Sequence, residues 1–435
     1  MRTQEDINML TDFEKNFLKE LIAIPSVGGD AAPGAPYGQV PREALDFFLK
    51  TAENEGFSTG VIDDKVGWLE FGDGEKLLGI VCHLDVVPVG TGWDTDPFVL
   101  TEKDGRVYGR GIVDDKGPAA AAFFAMRRIK ETNPSLPFRV RLILGTDEER
   151  TCDCVETYAA KGEIPDFAIT PDAEFPVIFA EKGILQIKVS GKGNGRIKAS
   201  AGSAANMVPA TATLEFAGKT YEASGVPAHA SKPDLGVNAI FRLIESLDFD
   251  LKESPMLSFI SDKFIGKNAA EYTGCDINDI SGQITANPAI LTVNEDTESL
   301  TIDIRYPVTA DFEKIVGYIN DEAGKYGLCA EVANHMPPIC KDKDTSEIKT
   351  LTAIWEKHLD RYDGFSEEYR SMYGQPLAIG GGTYARHMPN TVAFGLQAPW
   401  QTDQCHQANE SRSLSDISAD IDILEETILK LGENL

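Results

Sequence analysis

The sequence is poor in positive charge and has no long apolar run. It contains 41 Lys plus Arg against 69 Asp plus Glu, for a formal net charge of -28. An acidic chain repels phosphate backbones and anionic lipid, so neither nucleic acid nor a membrane is an expected partner. No stretch reaches the roughly 18 apolar residues of a membrane span. The start, MRTQEDINML, lacks the cationic end and apolar core of a signal peptide.

Cysteine is also scarce. Seven cysteines are dispersed through 435 residues. An odd, scattered set in a large chain predicts reduced thiols and a cytoplasmic location. Cys152 and Cys154 are one residue apart. They could bind a metal, but the spacing alone favours two plain thiols.

The hydrophobic pattern of the first part of the chain is typical of an α/β core. The runs LLGIVC (77–82) and VRLILG (140–145) are nearly continuous apolar stretches, typical of parallel strands covered on both faces. An Ala-rich helical pattern at 118–130 lies between them. Strand, helix, strand in this order predicts an α/β fold with a mixed, mostly parallel sheet and helices on both faces. A chain of this length is expected to hold two domains.

The hydrophobic pattern changes after about Ile184. Apolar and polar residues then alternate at 185–189 and again at 300–304, with a helical pattern at 237–247 between them. Such alternation of apolar and polar residues is typical of an antiparallel sheet with one solvent-exposed face. We therefore predict a first domain in two parts, residues 1–186 and 345–435. An inserted α+β domain is predicted at residues 187–344.

Acidic residues and a histidine follow the predicted buried strands, at the edge where open α/β sheets bind ligands. His83 and Asp85 come directly after LLGIVC and point the same way on an extended segment. His83 can therefore bind a metal while Asp85 supports it from behind. The other acidic positions are Asp114 with Asp115, the cluster Asp147, Glu148 and Glu149, and Asp172.

Each acidic position alone has an ordinary explanation. Asp114 and Asp115 could lie in an exposed turn, or their repulsion could be offset by a metal or by Lys116. Convergence of one histidine and several carboxylates on one sheet edge favours a metal site. Further along, the triple glycine at 380–382 permits close backbone approach to a ligand. His406 could complete the metal site.

The motifs HLDVVP, GRGIVDDKG, TDEE, PDAEFP, IGGGT and HQANE, in this order, resemble the aminoacylase–carboxypeptidase G–desuccinylase superfamily. Within it, PDAEFP and HQANE resemble the bacterial dipeptidases related to carnosinase, also called PepV-like or Xaa-His dipeptidases. The resemblance covers roughly residues 8–186 and 345–431. It implies a zinc-exopeptidase-like catalytic domain carrying an inserted lid domain.

The resemblance also implies roles for individual residues. His83 and Asp172 would bind one metal ion, Glu149 and His406 a second, and Asp114 would bridge the two. The Asp114–Asp115 peptide would be cis. Glu148 would be the general base, with Asp85 in a supporting catalytic role. Nitrogen and oxygen ligands without thiolate suit two divalent ions, Zn most of all and Mn as the alternative.

Roles in the inserted domain also come from the resemblance. His229, in GVPAHAS, would polarise the scissile carbonyl and stabilise the oxyanion. Arg305, in SLTIDIRYP, would bind a substrate carboxylate, and Asn206 in SAANMVP and the glycines Gly380, Gly381 and Gly382 would contact substrate. The alternatives are a surface ion pair for Arg305 and a helix-start residue for His229. His335, His358 and His387 are predicted to be structural.

We therefore predict a metallopeptidase that hydrolyses dipeptides with two divalent metal ions. The nearest alternative is amide hydrolysis of an N-acyl amino acid or N-succinyl amine by the same chemistry. A metal-stabilised binding protein is a further alternative, which the non-ligand Glu148 disfavours. The insertion is long enough for two α+β halves, one of which can take a partner's place, so we expect a monomer.

Overall fold

The structure is a computed structural model that describes residues 10–193 and 195–435. The expectation that no signal peptide is present rests mainly on residues 1–9, which lie outside the described residues. The helices are α1 (Asp12–Ile22), α2 (Gln39–Asn54), α3 (Lys116–Thr132), α4 (Asp153–Lys161), α5 (Ala239–Ser246), α6 (Pro255–Phe264), α7 (Ala269–Thr273), α8 (Phe312–Gly324), α9 (Ser346–His358), α10 (Glu367–Tyr373) and α11 (Leu414–Gly432).

Single 3₁₀ turns add to these helices at Pro233–Leu235, Leu251–Glu253, Leu359–Arg361 and Tyr384–Arg386. The strands are β1 (Ser58–Ile62), β2 (Val66–Phe71), β3 (Leu77–His83), β4 (Thr101–Lys103), β5 (Arg106–Tyr108), β6 (Arg139–Gly145), β7 (Phe167–Thr170), β8 (Ile178–Glu181), β9 (Gly183–Lys192), β10 (Ile197–Ala201), β11 (Thr211–Phe216), β12 (Lys219–Ser224), β13 (Asn278–Asp279), β14 (Gly282–Gln283), β15 (Thr285–Val293), β16 (Thr297–Tyr306), β17 (Cys329–Met336), β18 (Ile339–Cys340), β19 (Leu377–Ile379), β20 (Thr391–Ala393) and β21 (Ser411–Ser413).

The described chain divides into two compact units, the second inserted in the sequence of the first. The first comprises residues 10–179, 341–377 and 383–435, and the second comprises 180–340 and 378–382. The predicted boundaries at 186/187 and 344/345 lie a few residues from these divisions. The segment 378–382, predicted within the catalytic domain, is grouped with the second unit. Whether the predicted boundaries separate two independently folding domains stays a prediction.

The first unit contains a mixed sheet. Its strands lie in the order β1-β2-β6-β3-β7-β20-β8, and the chain leaves the unit along β8. Pairing is parallel among β6, β3, β7 and β20 and antiparallel towards both ends. The predicted α/β fold with a mixed sheet is thus confirmed, and its parallel part is the centre, where β3 is buried along its whole length.

Helices cover both faces of this sheet because alternate residues of its strands are apolar on both sides. On one face, Val81 and Ile143 pack with Val155 and Tyr158 of α4. On the other face, Gly67 of β2 lies against Leu45 of α2. Aromatic rings pack helices α1, α2 and α3 against one another. Phe17 of α1 contacts Phe48 of α2 and Phe123 of α3 at ring-centroid distances of 5.0 and 5.2 Å.

The predicted elements agree with the observed ones to within a few residues. Thr11 and Glu14 form the expected capping box at the start of α1. The two apolar runs are β3 and β6, the Ala-rich pattern is α3, and the C-terminal pattern is α11. Because β3, β6 and β7 run parallel, their carboxyl ends at His83, Gly145 and Thr170 lie at the same edge of the sheet.

The second unit contains an antiparallel sheet. Its strands lie in the order β12-β11-β10-β15-β16-β9-β17, and every neighbouring pair is antiparallel. Leu185, Ile187 and Val189 of β9 are buried against apolar residues of α5, α6 and α8. The expected alternation and the helix predicted at 237–247, observed as α5, are therefore present. The seven strands named above form one continuous sheet, and β13 and β14 pair separately.

The seven cysteines lie within the described residues and are all free thiols, Cys152 and Cys154 included. No helix in the described part of the chain is long and apolar enough to cross a membrane.

Candidate metal centre

All five side chains predicted to bind metal lie in the first unit. His83 is the last residue of β3, Glu149 follows β6, and Asp172 follows β7. Asp114 lies in the loop before α3, and His406 lies before β21. The parallel order of the three strands brings their ends together, and two loops supply the remaining ligands.

The side chains form two groups that share Asp114. His83, Asp114 and Asp172 offer nitrogen and oxygen atoms that lie within 4.8 Å of one another, and so do Asp114, Glu149 and His406. Nε2 of His83 lies 2.9 Å from Oδ1 of Asp114, and Nε2 of His406 lies 3.0 Å from its Oδ2. Asp114 therefore presents one oxygen to each group, as the resemblance implies for a bridging ligand.

The two neighbouring glutamates differ in their surroundings. Oε2 of Glu149 lies 3.1 Å from Nε2 of His406. Oε2 of Glu148 lies 3.9 Å from Nε2 of His83, and His83, Glu148 and Glu149 form a third group of nearby ligand atoms. The structure thus brings Glu148 to the same edge as the five other side chains.

Asp85 and Asp115 accept hydrogen bonds from the backbone of residues in the ligand groups. Both oxygens of the Asp85 carboxylate accept backbone N–H bonds, from Glu148 and Glu149, each at 3.1 Å. Nδ1 of His83 lies 3.0 Å from the Asp85 carbonyl oxygen and 3.5 Å from its carboxylate. Since a carbonyl oxygen only accepts, Nδ1 carries the proton and Nε2 faces Asp114. The predicted support of His83 by Asp85 therefore runs mainly through the main chain.

Asp115 contacts the same strand end. Its Oδ2 accepts the backbone N–H of His83 at 2.9 Å, and the Asp114–Asp115 peptide is cis. Gly111, in the same loop, has a φ of +90°, a region that side chains rarely adopt. The glycine-rich sequence before Asp114 therefore permits the tight loop that turns this residue towards His83.

The crowding of charge shifts the pKa values of these groups. Burial and the carboxylates around it raise the pKa of Glu148 to about 8, against the effect of His83. Burial and Asp114 raise the pKa of Asp172 to about 7. Contacts with Asp114 and Glu149 raise the pKa of His406 to about 10. Burial opposes the effect of the two imidazoles on Asp114, but His406 and His83 together lower its pKa.

The donor set fits a pair of divalent metal ions. Four carboxylates, Asp114, Glu148, Glu149 and Asp172, face two imidazoles, an excess of negative charge that cations would neutralise. Oε1 of Glu149 is buried and has no hydrogen-bond partner among the described residues. Imidazole and carboxylate without thiolate is a ligand set that Zn and Mn accept.

One residue of the site was missed by the sequence reasoning. Glu410 is fully buried and accepts hydrogen bonds from the backbone of Gly111 at 3.0 Å and of Val113 at 2.7 Å. Its Oε2 also pairs with Nη1 of Arg110 at 2.7 Å. It is the last letter of HQANE, four residues after His406. The motif contained this signal, but only its histidine was assigned a role.

In the second unit, Arg305 is 4% exposed and already bonded. Its Nε donates to Asp303 at 2.6 Å and its Nη1 donates to the Gly380 carbonyl at 2.7 Å. Gly380 lies so close to Ser231 that an added Cβ would approach the serine Cβ to 2.9 Å. The glycine at this position therefore serves close packing within its unit, and the substrate contact predicted for Gly380–Gly382 stays a prediction.

His229 and Asn206 are exposed on neighbouring segments of the second unit. Nδ1 of His229 lies 2.7 Å from Oγ of Ser231 and accepts the Ser231 backbone N–H at 3.2 Å. A nitrogen that accepts an N–H bond carries no proton, so the proton of neutral His229 is on Nε2. The backbone carbonyl of Asn206 accepts from Ala230. Their predicted catalytic and substrate-binding roles, like that of Arg305, stay predictions.

The histidines predicted to be structural have protein partners. His335 lies 2.7 Å from the Tyr306 hydroxyl and stacks on Phe312. His358 lies 2.7 Å from Glu426, and His387 lies 2.9 Å from Glu156. None of the three belongs to a metal-ligand group among the residues that the structure describes.

Comparison with known proteins matches the sequence of this chain to a peptidase family. The profile of peptidase family M20/M25/M40 matches residues 79–430. The Bacillus subtilis (strain 168) protein named "Putative dipeptidase YtjP" is 33% identical, over 95% of this chain and 96% of its own length. A Staphylococcus saprophyticus relative, "Putative dipeptidase SSP1012", is 31% identical over 98% of this chain and 99% of its own.

Solved structures show the same fold. Aminoacylhistidine dipeptidase from Vibrio alginolyticus has a TM-score of 0.64 at 12% identity, covering 98% of each chain. Human carnosine dipeptidase 1 has a TM-score of 0.60 at 17% identity, covering 97% of this chain and 96% of its own. The family and the metallopeptidase activity predicted from the motifs are confirmed: this chain belongs to peptidase family M20/M25/M40.

Proposed function

We propose that the substrate of this metallopeptidase is a dipeptide and that two divalent ions, Zn or Mn, act in its hydrolysis. The observation that carries the proposal is the pair of ligand groups sharing Asp114, with Glu148 beside them. Relatives at 33% and 31% identity over nearly the whole chain carry the name dipeptidase, which supports this substrate class.

His83 and Asp172 would hold one ion and Glu149 and His406 the other, with Asp114 shared between them. Bound there, the ions would supply an activated water and a polarised carbonyl. Glu148 takes the proton of the attacking water and returns it to the leaving amine. Burial and neighbouring carboxylates raise the pKa of Glu148 in the absence of metal, and cations bound beside it would lower that pKa again.

Roles in substrate binding are also proposed for His229, Arg305 and Asn206. His229 would donate from Nε2 to the carbonyl oxygen as negative charge develops on it. Arg305 has five N–H groups and uses three within the protein, on Asp303 and Gly380. The remaining two would bind the substrate carboxylate. Asn206 is proposed to contact substrate nearby.

A second candidate is amide hydrolysis of an N-acyl amino acid or an N-succinyl amine by the same residues. The names of the two relatives described above favour the dipeptide. A protein that only binds metal is disfavoured, because such a protein would have no need of the base proposed at Glu148. We also propose a cytoplasmic location, supported by the free thiols at all seven cysteines.

The test combines metal removal with a substrate panel. We expect a chelator to abolish hydrolysis of dipeptides and Zn or Mn to restore it. Turnover of dipeptides should exceed turnover of N-acyl amino acids and N-succinyl amines. Full activity after metal analysis confirms removal would exclude the two-metal mechanism, and preferred turnover of the acylated compounds would exclude the dipeptide.

A further inference from the structure

A single carboxylate ties the two loops of the metal centre together. Glu410 lies four residues after His406, and its side chain is fully buried. Its acceptors face the loop before α3, which carries Asp114. Oε1 accepts the backbone N–H groups of Val113 at 2.7 Å and Asp114 at 3.3 Å. Both oxygens lie within 3.1 Å of the Gly111 nitrogen.

The charge of Glu410 is balanced locally. Arg110 is 1% exposed, and its Nη1 donates to Oε2 of Glu410 at 2.7 Å. Nε and Nη2 of Arg110 have no hydrogen-bond partner among the described residues, and its guanidinium lies 5.3 Å from the Trp93 ring centre. Among the described residues, Arg110 therefore forms its salt bridge with Glu410. The buried carboxylate accepts hydrogen bonds both from this guanidinium and from backbone N–H groups.

The position of Asp114 depends on these bonds. The metal-ligand atoms of Asp114 and His406 lie 3.0 Å apart, although the residues come from loops separated by nearly 300 positions. Strand β21 also joins the two segments, pairing Ser411 with Tyr108. Between that pairing and Asp114, the backbone N–H groups of Gly111 and Val113 donate to Glu410, so its carboxylate links the Asp114 loop to the segment that carries His406.

We propose that Glu410 is a positioning residue for the dinuclear centre, holding the Asp114 loop at the distance from His406 that metal binding requires. This inference rests on the proposed two-metal function. Glu410 is not itself a ligand, because its oxygens are already occupied by backbone donors and Arg110. Residues that orient metal ligands typically contribute about 10–100-fold to metal affinity.

The test is Glu410→Gln. The amide keeps the shape but replaces one acceptor by an NH₂ group that faces backbone N–H donors. Metal-free full-length protein would be titrated with Zn²⁺ against a chromophoric chelator. We expect two ions per chain for the unchanged protein and affinity weakened by about 10–100-fold in the variant. The visible absorption of the Co²⁺-loaded protein, which reports ligand geometry, should also change.

The matched control is Glu298→Gln in the second unit. Glu298 is also fully buried and accepts from the Ser254 hydroxyl at 2.8 Å and the Met256 N–H at 2.9 Å. It should lower stability without changing Zn²⁺ affinity or the Co²⁺ spectrum. If Glu410→Gln does not fold, Glu410→Asp replaces it. This variant keeps the charge but is one methylene too short to reach every donor, and an intermediate loss of affinity is expected.

The outcomes separate the two claims. An unchanged protein that does not take up two ions contradicts the proposed function. An unchanged protein that binds two ions, together with a folded Glu410 variant that binds them equally well, contradicts the positioning role alone. Equal losses in the Glu410 and Glu298 variants would assign the effect to stability and also overturn the inference.

Discussion

Asp85 shows how one side chain can fix the positions of two others. Its two carboxylate oxygens accept the backbone N–H groups of Glu148 and Glu149 separately. The side chains of these neighbours then diverge, and only Glu149 contacts His406. The base proposed at Glu148 and the metal ligand proposed at Glu149 can therefore be adjacent in sequence, because a buried carboxylate orients the peptide groups that carry them.

The roles of the two glutamates can be tested by Glu148→Gln. The amide is nearly isosteric, so we expect both metal ions to remain bound. Turnover should fall by about 10²–10⁴-fold, the usual contribution of a general acid–base group. Metal content is measured by elemental analysis and turnover with a dipeptide substrate.

Glu433→Gln is the control for this variant, because Glu433 lies at the end of α11 away from the ligand groups. It should keep both metal and turnover. Loss of a metal ion from Glu148→Gln would instead make Glu148 a ligand and reverse the roles assigned to Glu148 and Glu149.

At the scale of elements, the site edge was predictable because its strands are continuous apolar runs. The parallel strands β3, β6 and β7 each end at a polar residue or acidic cluster, and this pattern is readable from sequence alone. The antiparallel flanks of the sheet were less visible. β1 and β8 are short, and which neighbour a short strand pairs with depends on contacts distant in sequence.

Two features could not be predicted from local sequence. The partners of Glu410 are backbone N–H groups about 300 residues away, and backbone donors have no sequence signature. The segment 378–382 was expected to contact a ligand because it is rich in glycine. The structure groups it with the second unit, where Arg305 donates to the carbonyl of Gly380. In both cases the observed contacts come from residues distant in sequence, and the ligand contact expected for residues 380–382 stays a prediction.

The edge strand β17 gives a prediction about pH. Burial lowers the pKa of His335, which contacts the Tyr306 hydroxyl. The folded state therefore favours neutral His335, and stability falls as the pH drops below the unfolded value of about 6.5. In His335→Gln we expect a smaller loss of unfolding free energy between pH 7.5 and pH 5.0, measured by urea unfolding.

His387→Gln is the comparison for this experiment. His387 pairs with Glu156 in the first unit. It should leave the pH dependence of unfolding of the second unit unchanged, followed by hydrogen exchange of the β17 amides. An identical pH dependence in His335→Gln and the unchanged protein would contradict the role of His335.

At the scale of the whole molecule, the expected monomer can be tested by mixing inactive chains. Chains carrying His229→Ala would be combined with chains carrying Glu148→Gln. If His229 serves its own chain, the mixture should stay inactive and the protein should sediment as a single chain. Recovery of activity on mixing would show that His229 acts across an interface between two chains.

The positioning role proposed for Glu410 has a consequence for protein synthesis. Arg110 and Glu410 are 300 residues apart. At about 5–20 residues per second, a ribosome needs on the order of 15–60 s to cover that distance. Throughout this interval the Gly111 and Val113 donors of the nascent chain lack their acceptor, and Asp114 lacks His406. A stalled or truncated product that ends before His406 would thus contain His83, Asp114, Glu149 and Asp172 but would lack the histidine of the second ligand group.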